Sequence, residues 1–358
     1  MNKGGKVETN TNKEVRFANG IELACWNDLV AKNPDGGNLL QSIEYSELKV
    51  ITGWKPRYVM VGNIAMTILE RRFGVFRHWY IPKCTGFIIS RESRDLMDLL
   101  VQFARDHGVS VITLDPEVPY AEDFSALGLV KRFDVQANVI TKVLDISLPL
   151  DELLASLPSK TRYAIRRAQK DGVKTQTVPT TDANCKIMFE LMGQAVATAV
   201  AQRKAKLYSF DYYREFWQHY DRTNLGRLFF AYHEGRVVAA AFVLAFGTRG
   251  TYKDGGSVRD RKAYGASHLL QWEAIMWLKH LEVKSYDLCG CPPADHSNDP
   301  SHRLYGVGQF KAGFVPATTE YAGTFDLIVQ SHRGRLWHHY GERAVGSFYR
   351  RVLHAQYY

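Results

Sequence analysis

Apolar positions recur at helical spacing over 21–34 (Leu23, Trp26, Leu29, Val30) and again over 91–107 (Leu96, Leu99, Leu100, Phe103). The turn chemistry of NPDGG at 33–37 closes the first of these segments. Between them LLQSIEYSELKVITGWKP predicts a short helix capped by Ser42 and ended by Gly53. Runs with strand character follow at 56–61, 64–70 and 75–81, then at VSVITLDPEV ending at Asp115, then near 129–135 and 138–145.

From 158 the pattern changes. PSKTRYAIRRAQKDG predicts a helix capped by Ser159 and ended by Gly172, with Arg162, Arg166 and Lys170 on one face and Lys160 and Arg167 close by. Like charges at that spacing repel, so the face calls for a polyanion; a solvated basic face is the plainer alternative. Helices are expected at 182–201 and 211–220 and strands at 227–233, 237–246 and 250–254. The next helix, 265–282, is apolar nearly all round and must be buried. A strand SYDLCG, a polar loop, the block YGVGQFKAGF, a strand TFDLIV and a basic amphipathic helix at 335–353 complete the chain.

The two halves echo one another. Tyr80 and Asp115 flank a strand, loop, helix and strand, and Tyr252 and Asp287 flank the same series at the same spacing of 35 residues. Two copies of one mixed α/β unit account for this, and a helix joining neighbouring strands resembles the acetyltransferase-type (GNAT) fold. The expected class is α+β, with two GNAT-like mixed-sheet domains in tandem. The expected organisation is a loose polar tail at 1–14, a first domain at 15–147 completed by 323–358, and a second at 148–322.

At 358 residues the chain is long enough for two domains, and 46% hydrophobic content marks it as globular. The longest strongly apolar run, VVAAAFVLAF at 237–246, falls short of the ~20 residues of a membrane helix. The first dozen residues lack the apolar centre of a signal peptide. Five cysteines, an odd number, point to reduced thiols and a cytoplasmic setting. Cys289 and Cys291 with His296 and His302 match no common zinc spacing, so no metal is expected. A net charge of +9 favours a polyanionic partner.

The candidate chemistry centres on Lys311, a lone cation between Phe310 and Phe314. Partial desolvation suits it to an anion or a developing oxyanion, and the neighbouring glycines would let backbone approach a ligand. An ordinary lysine beside a hydrophobic strand is the alternative.

Together, PSKTRYAIRRAQKDG at 158–172, YKDGGS at 252–257, YGASHLLQWEAIMW at 264–277, YDLCGCPP at 286–293 and FKAGF at 310–314 resemble the FemABX family. LLQSIEYSELKVITGW at 39–54, YIPKCTG at 80–86 and LDPE at 114–117 match more loosely. These enzymes add amino acids from aminoacyl-tRNA to cell-wall peptides, and the chain resembles their compact members, without a coiled-coil arm. The resemblance implies a cleft between twin domains. It also implies aminoacyl-tRNA and a peptidoglycan precursor (UDP-MurNAc-pentapeptide or lipid II) as substrates, no cofactor, and work in the cytoplasm or at the inner membrane face. By motif, Lys49 would touch the precursor diphosphate with Arg203, and Tyr252 and Tyr264 would lie near the same groove. Lys311 and Phe310 would receive the terminal adenosine and aminoacyl ester, and Asp115 would sit beside the acceptor amine. Lys160, Arg162, Arg166, Arg167 and Lys170 would meet tRNA phosphates.

The chemistry fits these residue types. An aminoacyl ester is already activated, so the site must supply orientation, an oxyanion partner (Lys311) and a proton route (Asp115 as base or amine-orienting carboxylate). Rival readings are a CoA-dependent N-acyltransferase, for which Lys262 to Ser267 offers half a phosphate-loop signature; a tRNA-dependent enzyme with a natural-product peptide or protein N-terminus as acceptor; and a non-catalytic RNA-binding protein.

Overall fold

The structure, a computed structural model, describes residues 14–85, 94–119, 124, 127–136, 138–201, 207–258, 262–351 and 357–358. The expected tail at 1–14 lies, apart from Glu14, outside them. The chain divides into two compact units, one running to Val135 and resuming over Ala322–Tyr358, the other Gln136–Tyr321.

The first unit contains β1 (Val15–Phe17), α1 (Gly20–Ala24), α2 (Trp26–Ala31), α3 (Ile43–Ile51), β2 (Lys55–Val61), β3 (Ile64–Phe73) and β4 (Phe76–Ile81). It continues with α4 (Arg94–Asp106), β5 (Val111–Leu114) and β6 (Leu129–Lys131). The second unit holds β7 (Ile140–Asp145), α5 (Leu150–Ser156), α6 (Ser159–Lys170), β8 (Lys174–Val178), α7 (Asp182–Ala201) and α8 (Phe210–Arg222). After these come β9 (Gly226–His233), β10 (Arg236–Phe246), β11 (Arg249–Ser257), α9 (Ala266–His280), β12 (Ser285–Gly290), α10 (Tyr305–Ala312) and β13 (Thr319–Glu320). The chain then returns to the first unit through β14 (Phe325–Ile328), α11 (Ser331–Leu336) and α12 (Glu342–Arg351).

Each unit is built on one seven-stranded sheet, ordered β1-β2-β3-β4-β5-β14-β6 in the first and β8-β9-β10-β11-β12-β7-β13 in the second. In both, the fourth and fifth strands (β4 with β5, β11 with β12) run parallel, joined by one long helix, while the other pairs are antiparallel. A parallel pair needs such a crossover, and an apolar helix face then covers the sheet. Leu96, Met97 and Leu100 of α4 do this in the first unit, and Leu269, Leu270 and Ile275 of α9 in the second. The twin α+β architecture expected from the sequence is therefore present.

The matched Tyr and Asp spacings are not matched in register. Tyr80 stands opposite Thr113, with Asp115 just past the end of β5, whereas Asp287 lies within β12 opposite Thr251.

The sixth strand crosses the expected domain boundary. Residues 136–147 belong to the second unit, because β7 pairs with β12 from Asp145 opposite Ser285, and Leu144 and Ile146 join that unit's apolar core. In the first sheet the equivalent slot is filled by β14, whose Phe325 and Leu327 are buried beside β5.

Two local expectations change. Helix α6 is capped by Pro158, whose carbonyl takes the first helical amides, and Ser159 makes no side-chain cap. The C-terminal basic helix is broken, with a π-helical turn over Trp337–Gly341 separating α11 from α12.

Candidate functional site

Beyond Thr251 and Asp287 the parallel pairing of β11 and β12 ends, so the two strands part. Such a gap at the carboxyl end of parallel strands is where open α/β sheets take ligands. Lys311, from the last turn of α10, is buried there, with its Nζ donating to the Gly290 carbonyl at 2.7 Å and lying 6.0 Å from the Tyr252 ring centre. Burial pulls its ammonium below the usual lysine range, opposed by the Cys289 thiol, the Asp287 carboxyl and the Cys291 thiol.

The segment holding Lys311 is a helix and not a hydrophobic strand, which corrects one reading of its surroundings. Phe310 and Phe314 pack on each other and on His268 of α9, at ring separations of 5.6, 5.0 and 5.7 Å, while Lys311 points to β11 and β12. Burial lowers the His268 imidazole to about 4, so this cluster is neutral. Two of the three glycines are required by packing. A Cβ on Gly308 would come within 2.4 Å of Pro292 Cδ, and one on Gly313 within 3.0 Å of both the Phe310 carbonyl oxygen and Thr161 Oγ1.

The Gly290 carbonyl is aimed by a bulge. Val143 stands opposite Asp287 and Thr141 opposite Gly290, so β12 carries one extra residue across this step. Cys289 takes it up with a left-handed φ of 63°, unusual for a residue with a Cβ. The Asp287 carboxylate holds that turn, accepting the Cys289 amide at 2.6 Å and the Thr141 hydroxyl. Lys142, the next residue of β7, sends its Nζ to the carbonyls of Pro316 and Ala317 at 2.7 and 3.1 Å, tying down the chain that leaves α10.

The first unit places Asp115 at the corresponding end of its own parallel pair, one residue beyond Leu114. It is fully buried, taking the Lys83 amide on Oδ1 at 2.6 Å and the Tyr80 hydroxyl on Oδ2 at 3.1 Å. Burial lifts its carboxyl to about 7 against the opposing pull of Lys83, so it changes charge near neutral pH. Lys83 adopts φ 44°, and its Nζ lies 3.5 Å from Glu117, which also accepts from Asn38 at 3.1 Å. Gln41 ties β3 to this loop, exchanging bonds with Thr67 and donating to the Pro82 carbonyl.

The remaining sequence candidates are placed as follows. Lys49 is half-buried in the last turn of α3, 5.2 Å from the Tyr45 ring, and burial with Arg71 nearby lowers its ammonium to about 8. Tyr252 is partly buried beside Lys311, and Gly255 leaves room for its ring, since a Cβ there would strike the Tyr252 hydroxyl. Tyr264 is instead exposed at the start of α9, 6.4 Å from Tyr163 of α6. Arg203 lies outside the described residues. On α6, Lys160, Arg166, Arg167 and Lys170 are exposed, with Arg167 paired to Asp171 at 2.6 Å. Arg162 departs from the expected basic face: its guanidinium is taken up by the carbonyls of Ala155 and Leu157 at 2.7 and 2.6 Å, closing the end of α5.

Sequence reasoning missed Lys142, Thr141 and Gln41, whose side chains bond segments far away in the chain and so leave no local pattern. Among the described residues no three His, Cys, Asp or Glu side chains are grouped to hold a metal ion.

Known proteins resemble this chain along most of its length. The family described as Acetyltransferase (GNAT) domain matches residues 159–298. The UDP-N-acetylmuramoylpentapeptide-lysine N(6)-alanyltransferase of Weissella viridescens is 28% identical over 324 residues, 82% of this chain and 90% of that protein. A lipid II:glycine glycyltransferase of Staphylococcus epidermidis is 22% identical, over 84% of this chain and 90% of its own. A crystal structure of FemX superposes with a TM-score of 0.72 at 18% identity, covering 90% of this chain and 98% of that one.

Proposed function

The chain belongs to the FemABX family of peptidoglycan-bridge aminoacyltransferases, and from that premise we propose that it moves an aminoacyl group from aminoacyl-tRNA to the stem-peptide amine of a peptidoglycan precursor. The observation that carries this reading is Lys311, a buried cation fixed on the Gly290 carbonyl at the parting of β11 and β12. An ammonium held rigidly in a desolvated place stabilises charge that appears on a reacting carbonyl oxygen.

In the proposed reaction the acceptor amine attacks the ester carbonyl carbon, and the carbonyl electron pair moves onto oxygen, facing Lys311. Collapse of this intermediate forms the amide and expels the ribose oxygen, which takes up the proton that the amine gives away. Asp115, with its pKa near neutrality, orients that amine or relays its proton toward the ribose oxygen. No covalent enzyme intermediate is needed. Tyr252 lines the Lys311 side, and Phe310 and the exposed Lys160, Arg166, Arg167 and Lys170 are assigned to the tRNA end. Lys49, Arg203 and Tyr264 are assigned to the precursor. The acceptor is soluble UDP-MurNAc-pentapeptide or lipid II at the inner membrane face.

The test is transfer of labelled amino acid from a mixed pool of charged tRNA to UDP-MurNAc-pentapeptide, and in a second reaction to lipid II, beside a tube with labelled acetyl-CoA. Label reaching either precursor from tRNA supports the proposal. Label moving only from acetyl-CoA contradicts it.

A further inference from the structure

The C-terminal helical segment of the first unit has two apolar faces, and only one is used. Gly334, Trp337 and Val345 are buried against the sheet. On the other side Leu336, Tyr340, Ala344 and Phe348 recur every four residues and are exposed, at 51%, 70% and 42% for the leucine, tyrosine and phenylalanine. The β3 to β4 hairpin extends this surface: the ring of Phe73 lies 6.2 Å from that of Phe348, and Val75 at the tip is 67% exposed.

Exposed arginines border the ridge at 333, 335, 343 and 351, with Arg72 on the hairpin. Arg105 and Arg333 also line one shallow depression at the start of α11. Large aliphatic and aromatic groups rimmed by cations match a lipid interface, where rings and alkyl chains enter the headgroup layer and arginines meet anionic headgroups. Nucleic acid would satisfy the arginines but leave Leu336, Val75 and Phe348 without a role.

We propose that this face, built from α11, the π turn, α12 and the β3 to β4 hairpin, docks the protein on an anionic phospholipid surface. Among the described residues no helix is long and apolar enough to cross a membrane, so contact through this face is interfacial. The proposal deepens the functional reading by placing the protein where a lipid-linked acceptor would be, and rests on that reading only for its purpose.

The experiment is co-sedimentation of the full chain with vesicles of phosphatidylcholine alone and of phosphatidylcholine with 30 mol% phosphatidylglycerol. Anionic vesicles are expected to bind about tenfold more protein. The triple variant Leu336→Ser, Tyr340→Ser, Phe348→Ser and a second variant, Arg333→Gln, Arg335→Gln, Arg343→Gln, should each lose most of that binding with unchanged circular dichroism. Bromolipid quenching of tryptophan fluorescence gives a readout in the wild-type chain that does not depend on any variant folding. Equal binding to both vesicle types, or full binding by both variants, overturns the proposal. So does loss of tRNA binding in the apolar triple variant while vesicle binding persists, or loss of self-association in its place, which assigns the face to a second copy. No aminoacyl transfer is measured, so failure here is separable from failure of the functional reading.

Discussion

The Cys289 amide donates to Oδ1 of Asp287 at 2.6 Å, closing the bulge of β12 that turns the next carbonyl, that of Gly290, toward Lys311. The Asp287 carboxylate thus helps fix where the Lys311 ammonium rests, through the carbonyl that the bulge presents.

Asp287→Asn keeps the side-chain shape but weakens the bond that holds Cys289 in its left-handed conformation. Transfer should fall about tenfold in kcat with little change in KM for either substrate, and the alkaline limb of the pH profile should move as the Lys311 ammonium loses its fixed carbonyl. Steady-state kinetics across pH checks this. An unchanged alkaline limb would leave Asp287 a purely structural residue.

On the proposed mechanism Asp115 would set the other limb. Its carboxyl is lifted to about 7, so the charged form that orients or deprotonates an amine accumulates only as pH rises through neutrality. The rate should climb between about pH 6 and 8, and Asp115→Asn should remove that limb. A climb that survives in Asp115→Asn would assign it to another group.

The glycines of the Lys311 helix separate packing from permissiveness. Gly308→Ala meets Pro292 and should destabilise the second unit by about 1–3 kcal/mol. Gly306→Ala has open space and should stabilise it by about 0.5–1 kcal/mol. Urea denaturation of both variants tests the sign of each.

Acid should weaken the first unit through His78. This ring is fully buried, with Nε2 and Nδ1 each 2.9 Å from the Thr113 and Tyr357 hydroxyls. Thr113 donates to Asp326 at 2.6 Å, so its oxygen accepts from Nε2–H and Nδ1 accepts from Tyr357. Burial lowers the imidazole to about 3, with Asp326 opposing and Arg132 and Arg71 reinforcing the shift. A histidine depressed in the folded state contributes stability that is present above its unfolded pKa, near 6.5, and lost as pH falls toward 3. His78→Gln should flatten the fall in melting temperature between pH 6.5 and 4, and an equally steep fall would exclude His78 as its source.

Legibility in the sequence followed how local each signal was. VVAAAFVLAF and the helix around Leu269 and Ile275 were readable because burial writes itself into a run of apolar residues. TFDLIV was readable as a strand, but its partner was not: β14 and β7 fill equivalent slots in different sheets, and register is set by contacts between distant segments. Lys311 stood out as one cation among aromatic residues, yet the phenylalanines flanking it in sequence face His268 in space, because a helix sends neighbours to different sides. In the basic run of α6, the spacing did not show that Arg162 also bonds the carbonyls ending α5, a contact with a neighbouring element.

The most direct test of the central claim is single-turnover transfer from charged tRNA to the precursor by the wild-type chain and by Lys311→Met. Removal of the oxyanion partner should slow the chemical step about 100-fold or more, with the fold and precursor affinity intact. Transfer by Lys311→Met at near the wild-type rate would contradict the account.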